Sequence, residues 1–69
     1  MNFISKKVLE FQKNKLVSAE DILKKYIKEI EKLESQGNPE ELENCRKMIK
    51  IWTENIEKIK KEITKIESR

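Results

Sequence analysis

Apolar residues recur along the second half of the chain with a spacing of three and four. Leu42, Cys45, Ile49, Trp52, Ile56, Ile59, Ile63 and Ile66 follow one another at intervals 3-4-3-4-3-4-3. A strand would alternate with period two; this spacing is the seam of a helix that packs against another helix. Asn38 is a good N-cap and Pro39 a good first helical residue. Glu40, Glu41 and Glu43 then complement the positive end of the helix dipole. The pattern predicts a helix over 39–68.

Ala19, Leu23, Tyr26, Ile30 and Leu33 carry the same rhythm, 4-3-4-3. It predicts a first helix over 18–36, stopped by Gly37, the chain's one glycine. Glycine enters the left-handed conformation that ends a helix without steric penalty. Residues 37–38 then form a tight turn, and a connection this short makes its two helices antiparallel neighbours. The predicted fold class is all-α, an antiparallel coiled-coil-like hairpin.

The register can be read from position numbers, which sum to a constant for residues at one level of an antiparallel pair. Leu33 with Leu42 sums to 75. The same sum pairs Ile30 with Cys45, Tyr26 with Ile49, Leu23 with Trp52 and Ala19 with Ile56. It continues through Leu16 with Ile59 and Gln12 with Ile63 to Leu9 with Ile66. Gln12 is the one polar member.

Residues 1–17 admit two readings. Leu9 and Leu16 fit the seam, so the first helix can extend back through them. Against this, Ser18 and Asp21 resemble a capping box, and Val17 with Ile22 a hydrophobic staple. Ile4, Val8 and Phe11 would then belong to a separate short helix. The capping signal tips the reading towards a break at Ser18.

Composition narrows the function. The chain is a single domain of 69 residues, 42% charged and 36% hydrophobic. A domain this small is marginal without disulfides, metal or association. One cysteine and no histidine exclude an internal disulfide and remove the commonest zinc ligand. They also remove the side chain that titrates near neutrality. No phosphate-binding, dinucleotide or nucleophile motif is present, and the carboxylates sit within a helical turn of lysines, as in Glu54–Lys58, Glu57–Lys61 and Glu20–Lys24. The expectation is a protein that is not an enzyme and has no catalytic residue, metal or cofactor. No apolar run reaches the length of a membrane span, which with the free cysteine points to a cytoplasmic protein that does not engage membrane. The Lys-, Ile- and Asn-rich vocabulary fits a bacterial or phage small protein.

Apolar residues beside the seam suggest what the chain binds. Ile22, Ile27, Met48 and Ile51 form a second stripe, and Lys58, Lys61 and Lys65 line one face near the C-terminus. The expectation is a regulator that recognises a protein partner through a helix face, with these seven residues in contact. A weak nucleic-acid-binding accessory protein using the basic end, or a structural subunit of a larger assembly, are the alternatives. Charge adds an expectation of self-association. Residues 29–43 sum to −5, whereas residues 1–17 and 58–69 each sum to +3. A hairpin would be acidic at its turn and basic at its open end, which favours a homo-oligomer in the form of an antiparallel dimer. Cys45, near a helix start, has a reactive-thiol reading, but the default is a small buried apolar residue.

Overall fold

The computed structural model describes residues 2–69; Met1, the first residue of the predicted N-terminal segment, lies outside them. Two helices account for almost everything described: α1, Phe3–Gln36, and α2, Pro39–Glu67. They pack against each other as an antiparallel hairpin, with no strand among the described residues. The 34 residues of α1 at a rise of 1.5 Å make a helix of about 51 Å. That matches the 52 Å long axis of the molecule, so α1 spans its full length.

The turn forms as its residue types require. Gly37 has φ 71° and ψ 29°, and its N–H donates to the Leu33 carbonyl at 2.9 Å. This left-handed cap satisfies a carbonyl that the helix end would otherwise strand. Asn38 then starts α2, its Oδ1 accepting from the Glu41 N–H at 3.2 Å, with Pro39 in the first turn.

The structure corrects the reading of a break at Ser18. Helix α1 runs without interruption from Phe3 through Ser18 to Gln36, so the described part of the N-terminal segment is not a separate helix. The start signal lies at Asn2, whose Oδ1 accepts from the Ser5 N–H at 2.8 Å. Val17 is 58% exposed, so it staples nothing. Phase decides the matter: Leu9, Gln12 and Leu16 continue the seam toward the open end, and all three are half-buried. Nothing between Phe3 and Gln36 is a glycine or proline, so no residue there disfavours the helix strongly enough to stop it.

The core is this seam. Ala19, Leu33, Cys45, Ile56, Ile59, Ile63 and Ile66 are buried. Ala19, Ile56, Ile59 and Ile63 form one cluster, with Leu9, Leu16, Leu23 and Trp52 packed on it. Every position of the sum-75 series is buried or half-buried. Ala19 is small enough to let α2 approach, and the isoleucines fill the space it leaves. Among the described residues no charged side chain is buried.

Ion pairs sit outside. Lys7–Glu10, Lys47–Glu43 and Lys60–Glu57 lie within a helix, and Lys13–Glu67 bridges the two helices. Glu57 thus pairs with Lys60, one residue short of the expected Lys61. Side chains in all four pairs are at least half exposed, so each contributes at most about 1 kcal/mol.

Candidate interaction surface

Two grooves run along the hairpin, one on each side of the seam, and they differ in chemistry. The first is walled on α1 by Phe11, Ser18 and Ile22 and on α2 by Trp52, Asn55 and Ile59, with Ala19 at its floor. Toward the turn the same side carries Glu29, Asn44 and Met48. The second groove lies between Glu20, Lys24 and Ile27 of α1 and Thr53, Glu57 and Lys60 of α2. Both have apolar floors; the second, with Leu23 and Ile56 also in its lining, has more polar walls, Glu20, Lys24, Glu57 and Lys60 standing along it.

Helical spacing explains the division. Val8, Phe11, Ser18 and Ile22 each precede a seam position of α1 by one residue, and Ile4 lies one turn before Val8, which puts them on one flank. Met48, Ile51 and Asn55 hold the matching flank of α2. Four of the seven exposed large apolar side chains lie on this flank: Ile4 at 72%, Phe11 at 61% and Ile51 at 53% exposure, with Val8 also open to solvent; Phe3, Val17 and Ile27 are exposed elsewhere. Ile22 and Met48 are half-buried beside them. Lys15 stands over the Phe11 ring at 5.7 Å from its centroid, within range of a cation–π contact.

Of the seven residues expected to touch a partner, the structure brings Ile22, Met48 and Ile51 to this face. Lys58 and Lys65 follow Ile51 along its outer edge. Ile27 is placed elsewhere, in the second groove on the opposite side. It follows seam residue Tyr26, whereas Ile22 precedes seam residue Leu23, and that offset sends the two to opposite flanks. Lys61 lies midway between Ile59 and Ile63, on the surface turned away from α1. Sequence reasoning missed Phe11 and Val8 as members of the face, because it assigned them to a separate helix.

Trp52 and Tyr26 were expected in the seam, and both are half-buried there. The indole Nε1 of Trp52 is enclosed without an acceptor.

Cys45 is buried, and its Sγ–H donates to the Tyr26 carbonyl of the other helix at 3.3 Å. Burial, with the Glu29 carboxylate nearby, pushes the thiol above its ordinary value of 9.0. These effects outweigh the helix start, so the residue behaves as a small core side chain that favours the protonated form. The native protein should react with an aromatic disulfide reagent only as fast as it opens, and denaturant should restore full reactivity. Because the folded state holds this proton more tightly, its contribution to stability is complete below about pH 9. It declines as pH rises beyond the unfolded thiol's value. A denaturation series at alkaline pH reads this loss, and a Cys45→Ala protein should lack it.

Among the described residues no cluster of acidic, cysteine or histidine side chains could hold a metal ion. No helix there is long and apolar enough to cross a membrane. No family model, curated protein or solved structure matches the chain.

Proposed function

We propose that the chain is a small non-enzymatic interaction protein, a helical hairpin that recognises a protein partner through one helix face. The observation that carries this reading is the gathering of Ile22, Met48 and Ile51 on the flank that also exposes Phe11. Contiguous exposed apolar surface marks a contact site, and helix faces are recognised through anchors spaced three, four and seven residues apart. Met48 and Ile51 are anchors at that spacing; Lys58 and Lys65 form a charged rim that orients the partner.

The basic open end supports an accessory nucleic-acid contact less well. Lys7, Lys13 and Lys60 are already paired with carboxylates, and Glu62 and Glu67 interleave with the remaining cations.

The test is quantitative capture from the source cell by the protein and by a Met48→Glu/Ile51→Glu double variant. Both side chains lie outside the buried cluster, so the variant should keep its helical signal. A specifically captured protein should fall at least tenfold with the double variant. Undiminished capture would exclude this face.

A further inference from the structure

The reading above leaves the occupant of the face open, and three observations on the hairpin narrow it. The first is polarity. The turn end, residues 29–43, carries −5, and the open end combines two segments of +3 each. Folding brings those two basic segments together.

The second observation concerns α1 alone. Its first turn has no acidic residue and its last turn no basic one. Lys6 and Lys7 stand near its positive end, and Glu31 and Glu34 near its negative end. This arrangement opposes the helix dipole, whereas α2, with Glu40 and Glu41 first and Lys65 last, follows the favourable pattern. Charges that destabilise their own helix call for compensation from outside it.

The third is shape. The apolar groove bounded by Phe11, Ile22, Trp52 and Ile59 is centred close to the middle of the rod. The described Cα atoms span 52 × 14 Å in the plane of the two helices. One side of the hairpin therefore offers on the order of 700 Å², near the ~800 Å² per partner of a stable interface.

We propose that this face takes a second copy of the chain turned end for end, forming an antiparallel four-helix dimer. The inference rests on the interaction face proposed above and names its partner. A two-fold axis at mid-rod lays groove on groove, with Asn55 of the two copies near the axis. Arg69 then comes level with Glu41 of the other copy, which lies on the interface flank. Each basic open end meets an acidic turn, and the Lys6–Lys7 end of α1 lies beside the negative end of the facing α1. A parallel pair would set −5 against −5 and +6 against +6 and leave both helix ends uncompensated.

Sedimentation equilibrium should give twice the 8.3 kDa chain mass, with affinity falling several-fold as salt rises from about 0.05 to about 0.5 M. A Phe11→Glu/Ile51→Glu variant should be monomeric at the same concentration while remaining helical. Orientation is read in a Cys45→Ala background. Asn55→Cys, near the axis, should cross-link the dimer on oxidation; Asn44→Cys, on the same flank toward the turn, should not.

Monomer mass throughout, a dimer unaffected by the Phe11/Ile51 change, or a dimer that tightens with salt would overturn the proposal. So would efficient cross-linking through Asn44→Cys, which requires parallel rods. A monomer whose partner capture is still lost with Met48→Glu/Ile51→Glu removes the dimer and leaves the interaction face standing. A dimer of the stated kind that captures nothing else restricts the face to self-association.

Discussion

An Ile56→Ala protein should lose about 2–5 kcal/mol of stability, the cost of emptying a buried isoleucine site. Ile56 is 6% exposed and packs in the cluster with Ala19, Ile59 and Ile63. The truncated side chain faces Ala19, which is too small to reach across the gap. A domain of this size rarely has more than about 3–5 kcal/mol in total. The helical circular dichroism of the variant should therefore be much reduced at 25 °C and melt without a clear plateau. Val17→Ala is the control. Val17 is on the outer surface, and its truncation should stay within about 0.5 kcal/mol of the parent. Equal melting of the two variants would mean that the seam is not the core.

The second large effect is expected at the turn. Gly37→Ala should cost about 1–2 kcal/mol, because an L-residue in the left-handed region brings its Cβ against the following carbonyl. Space is not the issue, since nothing lies within 4 Å of a Cβ added there. Gly37→Asn should cost less, since asparagine tolerates this conformation better than alanine. Urea denaturation of the three proteins at one protein concentration checks the order Gly, Asn, Ala. An alanine variant as stable as the parent would show that α1 and α2 do not need the reversal.

These two positions also show what could be read from the sequence and why. Seam and turn were legible because each rests on a local rule that nothing overrides. A 3-4 apolar rhythm has one helical solution, and the chain's one glycine stands directly before an Asn-Pro helix start. The course of α1 before Ser18 was not legible in the same way. Ser18 with Asp21 has the form of a cap, and a cap is recognised from a handful of neighbours. Whether it acts depends on Leu9 and Leu16 finding partners in α2, which lie at the far end of the chain. Packing along the whole rod overruled the short-range signal, and Asn2 took the capping role.

The interaction face was half legible for a related reason. Met48 and Ile51 were recognisable as apolar residues outside the seam. Which of Ile22 and Ile27 joins them depends on the side of the seam each occupies, set by a single residue of offset. Phe11 and Val8 became members only when α1 proved continuous. Cys45 was ambiguous because its place near a helix start and its place in the seam argue for opposite thiol chemistry. Its contact with the Tyr26 carbonyl belongs to the packed pair and cannot be seen in either helix alone.

The single reversal at Gly37 also orders the way this molecule assembles and comes apart. Leu33 meets Leu42 across a small loop, whereas Leu9 meets Ile66 only after nearly the whole chain has been drawn together. Closure entropy grows with the loop being closed, so folding proceeds as a zipper from the turn, each rung shortening the search for the next. Breathing runs the other way. The tips carrying Phe3, Ile4 and Arg69 part first and most often, and amide protons there should exchange long before those beside Leu33 and Cys45.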